Sequence, residues 1–356
     1  MFRELRISTA FLVLGCSSSV ELSAPPRLTA SSDPTVLAVV NEQVTAIAVD
    51  DQRLYWLGSV DRLGALNSGN LQSCEKQNCV STLVTYGAAG KASLRWIGLS
   101  GGQVYWFEIT EAGGEIVRAL NACDVSGCEH GVRRVASNLA NMEAAAFGSD
   151  YAYVVASYGM LRIPLTGNDA QPEPLFATDV LAVSAIAVQG DYLYWLGSRE
   201  YSNVDSTVQR TRVDRSGEIE TVADHLGITL DGSSLALDET HVYWSDHVLS
   251  GGIFRCPLAG CSGAPEPFVG PVRLPTTVLP DGLNLYWEQD TTESGGVISS
   301  CALTACAPSG PVARGVDDYA ALAVDDEYLY TATTDQKLDP YVDWTNPSAS
   351  IRRIRK

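Results

Sequence analysis

Residues 44–56 read VTAIAVDDQRLYW and residues 183–195 read VSAIAVQGDYLYW. Each is a short apolar run, a polar turn, and a second run that ends in adjacent aromatics. Runs of this length bounded by Asp, Gly and Gln read as the two arms of a β-hairpin. The unit recurs at LRWIGLSGGQVYW (94–106), MEAAAFGSDYAYV (142–154), GSSLALDETHVYW (232–244), LPTTVLPDGLNLYW (274–287) and YAALAVDDEYLYT (319–331). The anchoring tyrosines are Tyr55, Tyr105, Tyr153, Tyr194, Tyr243, Tyr286 and Tyr330, at spacings of 50, 48, 41, 49, 43 and 44 residues. Seven strand-built copies at this period imply an all-β chain folded as a seven-bladed β-propeller.

The rest of each unit supplies four antiparallel strands per blade. Strand A is the apolar run and strand B carries the aromatic pair. Strand C is a Gly-led run such as Gly159–Pro164, and strand D a β-rich run such as Ser81–Thr85 or Glu220–Ala223. Adjacent Tyr and Trp on strand B point to opposite faces of a sheet. Both are buried only if each blade is sandwiched between two others, so the pair reads as core. The chain ends on ASIRRIRK, a strand C with no strand D behind it, while TVLAVV at 35–40 precedes the first strand A. Pairing of the two termini closes the seventh blade and removes an open edge.

The first residues, MFRELRISTAFLVLG, carry Arg3 and Arg6 ahead of a short apolar core, and read as a signal peptide over 1–15. The segment is too short to span a bilayer. It ends in Val13-Leu14-Gly15-Cys16, which resembles the bacterial lipobox. That resemblance implies a lipidated Cys16 as lipid anchor in the bilayer, export to a bacterial cell envelope, and, from the serines at 17–19, the outer rather than the inner membrane. Several acyl chains on one cysteine give a stable anchor where one chain is marginal. Residues 16–34, rich in Ser, Ala and Pro, read as a flexible tether, leaving 35–356 as a single propeller domain.

Eight further cysteines form four pairs of identical spacing: Cys74/Cys79, Cys123/Cys128, Cys256/Cys261 and Cys301/Cys306. Each falls at a strand C to strand D turn, where residues facing across a hairpin approach closely enough for a disulfide. An exported chain lives where such bonds persist. One pair per blade does not gather into a zinc site.

The copy Tyr243-Trp244-Ser245-Asp246, followed by Ile253-Phe254-Arg255-Cys256-Pro257-Leu258-Ala259-Gly260, resembles the YWTD repeats of low-density-lipoprotein-receptor-type β-propellers. The resemblance runs over nearly all of the chain after the tether. It implies a β-propeller on a bacterial lipoprotein.

The chain has 24 basic and 42 acidic residues, a net charge of −18, which argues against a nucleic-acid partner. In a propeller the B–C loops and D–A connectors share one face of the disc. That face is expected to collect Asp61, Glu108, Glu111, Glu200, Asp205, Asp246, Glu288, Asp290, Glu293, Asp335, Asp339 and Asp343, with His247 and His225. Of these, Asp61, Glu108, Glu200, Asp246, Glu288 and Asp290 are the candidate partner-binding residues. Converging carboxylates suit Ca²⁺ and equally steer a basic partner. The AVDD stretches at 48–51 and 323–326 sit at A–B turns, where Asp serves turn chemistry. No HExxH or phosphate loop is present. Asp246, His247 and His225 are the one set worth weighing as catalytic. No cofactor is expected. The expected role is a monomeric, non-enzymatic binding or scaffold platform for an envelope protein or glycan; the alternative is an envelope hydrolase or lyase with a cation-dependent site on the channel face.

Overall fold

The computed structural model describes residues 35–40, 42–59, 69–87, 92–128, 131–156, 159–176, 182–198, 206–265, 267–290, 296–307, 310–316, 321–334 and 349–356. The signal segment, the tether with Cys16, and Asp61, Glu200, Asp205, Glu293, Asp335, Asp339 and Asp343 lie outside the described residues.

The chain enters through β1 (Thr35–Val40). Blade 1 is β2 (Gln43–Val49), β3 (Arg53–Ser59), β4 (Asn70–Glu75) and β5 (Val84–Gly87). Blade 2 is β6 (Ala92–Ser100), β7 (Gln103–Ala112), β8 (Glu115–Asp124) and β9 (Arg133–Ala136). Blade 3 is β10 (Met142–Phe147), β11 (Tyr151–Ala156), β12 (Gly159–Pro164) and β13 (Glu173–Phe176). Blade 4 is β14 (Ala182–Gln189), β15 (Tyr192–Ser198), β16 (Ser206–Arg212) and β17 (Glu220–Ala223). Blade 5 is β18 (Leu235–Leu237), β19 (His241–Ser245), β20 (Gly251–Pro257) and β21 (Pro267–Val272). Blade 6 is β22 (Pro275–Pro280), β23 (Asn284–Gln289), β24 (Gly296–Ala302) and β25 (Pro311–Val316). Blade 7 is β26 (Leu322–Val324), β27 (Tyr328–Thr334) and β28 (Ala349–Arg355), completed by β1. Every pairing is antiparallel, and β1 joins β28 with Thr35 opposite Arg353 and Val40 opposite Ala349. The first strand of each blade touches the first strand of the next, and β26 returns to β2, so the ring is closed around a central channel. Strand D of blade 1 sits a few residues beyond its expected place, at Val84–Gly87.

The adjacent Tyr and Trp explain why blades stack. Tyr55 and Trp56 are 2% and 0% exposed. Trp56 packs with Tyr330 and Ile351 of blade 7, while Tyr55 packs with Val104 and Trp106 of blade 2. The arrangement repeats: Tyr153 meets Trp195, Tyr194 meets Trp244, and Tyr243 meets Trp287. Tyr105 and Tyr286 face Val154 and Leu329 of the following blades. Seven apolar clusters thus fill seven seams, and the strand B Tyr of one blade enters each of them. Each ring removes roughly 150–250 Å² from water.

A second repeat, invisible in the hydropathy pattern, ties the outer strands. Arg162, Arg210, Arg255 and Arg353 each stand opposite the strand B Tyr of their blade. Each donates to a main-chain carbonyl at the C–D turn of the next blade: Val213 (2.8 Å), Leu258 (2.7 Å), Leu303 (2.9 Å) and Lys76 (3.0 Å). The guanidinium carbons lie over the rings of Tyr151, Tyr192, Phe268 and Tyr328 at 4.5, 4.6, 3.9 and 4.9 Å, a cation–π geometry. Where blade 1 has Ser73 instead, the Tyr55 hydroxyl itself reaches the carbonyl of Val125.

The four cysteine pairs are bonded as Cys74–Cys79, Cys123–Cys128, Cys256–Cys261 and Cys301–Cys306, with Cα–Cα distances of 4.7, 5.0, 5.2 and 4.9 Å. Their setting corrects the expectation that the two sulfurs face each other across paired strands. Cys74, Cys123, Cys256 and Cys301 are each the last residue but one of a strand C. Cys79, Cys128, Cys261 and Cys306 lie in the turns that follow, outside any strand. The reason is that strands D begin late, at Val84, Arg133, Pro267 and Pro311. Each second cysteine therefore precedes the ladder, and the bond closes the turn itself. Cys79 and Cys128 are buried, whereas Cys261 and Cys306 are half-buried at the outer edge of blades 5 and 6.

Candidate binding site at the channel mouth

The A–B turns face one side of the disc, and there the acidic residues are structural. Asp50 Oδ1 accepts the N–H groups of Gln52 and Arg53, and its Oδ2 accepts the Tyr55 hydroxyl at 2.9 Å. Asp238, Asp281 and Asp325 repeat this with the N–H groups two and three residues on and with Tyr243, Tyr286 and Tyr330. Burial alone would raise the carboxyls of Asp238, Asp281 and Asp325, but these hydrogen bonds, with Lys356 and Lys76 at the latter two, hold all three below the usual carboxylate range. Lys356 and Lys76 make their ion pairs at 2.7 and 2.8 Å, across seams to blades 6 and 7. The turn role expected of the AVDD stretches is what Asp50 and Asp325 perform.

The opposite face carries the B–C loops and D–A connectors. Several acids placed there from the sequence belong elsewhere. Glu108 and Glu111 are in strand β7, because the β7–β8 hairpin runs on to a two-residue Gly113-Gly114 turn with φ of +63° and +85°. Positive φ at both positions is what a tight hairpin turn of the type I′ kind demands. Glu108 accepts a hydrogen bond from the buried Asn121. Glu288 is also in a strand, since β23 continues two residues past Trp287. It is 2% exposed and accepts from Thr276 Oγ1 at 2.7 Å. Asp290 pairs with Arg273 at 3.2 Å.

Asp246 and His247 hold the connector between blades 4 and 5. Asp246 Oδ1 accepts the Thr229 N–H at 3.0 Å, and burial pushes its carboxyl up, against the opposing effects of that bond and of His247. His247 Nδ1 lies 3.0 Å from the Asp231 carbonyl. His225, at φ +50°, has a side chain 79% exposed beside Asp224. Among the described residues no group of three or more His, Cys, Asp or Glu side chains is placed to hold a metal ion.

What these bonds build is the wall of a cavity. It has a volume of about 690 Å³ and is lined by Trp96, Glu143, Asp231, Ser184, Ser233 and Thr277, with short apolar stretches of β14 and the connector. It shares Trp96 and Thr277 with the channel below, a space of about 780 Å³ walled by Ile47, Ile97, Phe147, Ile186 and Leu279 among other uncharged residues. The rim has a local cause. Strands β2, β6, β10 and β14 each carry a register shift near this end, spanning Thr45, Trp96, Glu143 and Ser184 in turn. A bulge leaves one residue unpaired and re-aims its side chain, so four neighbouring blades present their extra residue at the channel.

Trp96 is the outlier. Its φ is +45°, a strained value for a bulky residue, and such strain gathers at functional sites. Its ring meets Phe107 edge-on at 5.8 Å and 88°, and Phe107 packs on Phe147. Gly98 makes room, because a Cβ there would fall 2.2 Å from the Phe147 ring. Among the six described tryptophans the other five are buried, at 4% exposure or less. Sequence reading passed over Trp96, yet a signal existed: aligned on the repeat, it occupies the position of Ala46, Ala144 and Ala185. A large aromatic where sister copies need a small residue marks an exception to the core pattern.

Fold and rim together define a seven-bladed, disulfide-stapled β-propeller with an aromatic, acidic channel mouth. No family model matches the chain, and no curated protein matches it. Solved structures do. The chain is similar to prolyl oligopeptidase B from Galerina marginata at 11% identity and a TM-score of 0.58, over 89% of this chain and 51% of that one. It is similar to a prolyl endopeptidase at 13% identity and a TM-score of 0.55, over 83% and 46%. It also matches the computationally designed Ika8 protein at 10% identity and a TM-score of 0.53, over 90% and 98%. The chain thus spans about half the length of the two peptidases, and the likeness is one of fold.

Proposed function

We propose that this protein is a non-enzymatic binding platform, tethered to the bacterial envelope through a lipidated Cys16, that engages an envelope partner on its channel face. The observation that carries the reading is the mouth itself: an open cavity whose rim includes the bulged Trp96, Glu143 and Ser184, Trp96 being the one described tryptophan that is only half-buried. Concave sites with an apolar floor and a few convergent polar groups are where ligands bind. The opposite face has a smaller cavity of about 490 Å³ between blades 7 and 1, but Lys76 and Arg353 line it beside its acids, and Asp50 and Asp325 there are committed to turns.

The test is a cross-linked pull-down from detergent-solubilised envelopes, comparing the wild type with Glu143→Gln/Asp231→Asn. Both residues are exposed, so the variant is expected to fold normally. Loss of a specific partner supports the platform. An unchanged partner set overturns the assignment to this face. Anchoring is checked separately: Cys16→Ser is expected to move the protein from the membrane to the soluble fraction, and retention in the membrane refutes the anchor.

A further inference from the structure

The chemistry of the mouth narrows what it holds. Its charged rim residues are Glu143, on blade 3, and Asp231, on the connector into blade 5. Among the described residues neither has an ion-pair partner, and no Lys, Arg or His lines the cavity. Arg95, beside Trp96 in the chain, is not part of that lining. The remaining polar groups are Ser and Thr hydroxyls. Trp96 adds an aromatic face held in place by Phe107. Two unpaired carboxylates and an indole are the elements that attract a cation. Directly below, the channel is walled by aliphatic side chains, Phe147 and alanines with no charge. The space is therefore divided, with anionic, aromatic chemistry at the entrance and an apolar well beneath.

A ligand that satisfies both halves carries a cation and an aliphatic group close together. A neutral glycan leaves the well empty and does not answer the negative charge of the rim. An anion is repelled at the rim. We propose that the mouth seats a lysine or arginine of an extended peptide segment of a partner protein, with a neighbouring aliphatic side chain entering the channel. This rests on the platform reading and specifies its ligand class. The carboxylates are exposed, so their attraction is screened by salt, whereas the aliphatic contact is not.

The experiment is a selection of random heptapeptides displayed on phage against the purified full chain. Calorimetry of the best synthetic peptide follows at low and high salt. The expected consensus is Lys or Arg beside Leu, Val or Ile, with binding that weakens as salt rises. Glu143→Gln/Asp231→Asn is expected to weaken that peptide about three- to tenfold, the scale of losing two exposed ion pairs. Trp96→Phe, which keeps an aromatic core contact, is expected to cost about two- to fivefold. A consensus without a basic residue, or no consensus, overturns the inference, as does affinity unchanged in the double variant. Tryptophan quenching protected by N-acetylglucosamine oligomers and not by the peptide also overturns it, in favour of a glycan, and leaves the platform standing. If neither the peptide nor the pull-down partner responds to any mouth variant, the platform reading of this face fails with it.

Discussion

The two faces of the disc are built from the same seven repeats, and one keeps its copies alike where the other lets them differ. On the A–B turn face, Asp50, Asp238, Asp281 and Asp325 make one set of bonds four times over. On the channel face the copies diverge: the bulged positions hold Thr45, Trp96, Glu143 and Ser184, four different chemistries at related places. Repetition marks bonds that serve the fold. Divergence marks positions that folding leaves free and that binding can use.

The sharpest way to break this division is at the closing seam. Removing residues 35–40 strips strand D from blade 7 and exposes the partners of Leu37 and Val40, which are 7% and 5% exposed. Burial of these two side chains alone is worth about 3–6 kcal/mol, so denaturant melts should show a large loss or no folded product. Trp244→Ala, at a fully buried seam, is expected to cost about 3–5 kcal/mol. Replacing Cys74 and Cys79 together by Ser opens only a short loop, and thermal unfolding should show a loss of about 2 kcal/mol.

Next in size is a turn carboxylate. Asp238→Ala removes two N–H contacts and the bond to Tyr243, and is expected to cost about 1–3 kcal/mol at neutral pH. Its folded-state carboxyl lies below the ordinary 3.8, so the stabilisation is present above that value and is lost as pH falls through the folded pKa. Unfolding measured from pH 5 downward should therefore be steeper for the wild type than for Asp238→Ala; parallel curves would remove this carboxylate from the account. Smallest of all, Glu143→Gln should change stability by less than about 0.5 kcal/mol. A larger loss would place Glu143 with the structural acids and erase the contrast between the faces.

Most of the fold was legible because its signals are periodic. The Tyr-Trp pairs announced burial on both sides of strand B, the i, i+5 cysteines announced the C–D turns, and TVLAVV announced the closing strand. Strand D of blade 1 was misplaced by a few residues, since short outer strands lack the aromatic anchor that fixes register elsewhere. The same late start of strand D leaves Cys79, Cys128, Cys261 and Cys306 in turns rather than opposite their partners in a ladder, although the spacing alone identified which cysteines bond. The site was much less legible. Assigning acids to loops failed at Glu108 and Glu288, because strands B of blades 2 and 6 run further than the aromatic pair indicates. Glu288 then becomes a buried acceptor for Thr276, which no linear pattern reveals. Trp96 was readable only by aligning the copies and asking which residue broke the rule, and its consequence depends on a bulge whose position the sequence does not display.

The pairing of β1 with β28 sets a timetable for biosynthesis. Thr35 is among the first residues of the propeller to be made, and its partner Arg353 among the last. At ribosomal rates of about 5–20 residues per second, the edge of the first strand waits on the order of 15–60 s for its neighbour. Six blades complete themselves from contiguous chain during that interval, while the seventh depends on an encounter between distant ends. A nascent chain cut short anywhere before residue 349 lacks the partner for β1, so the closing joint acts as a completeness check on the propeller.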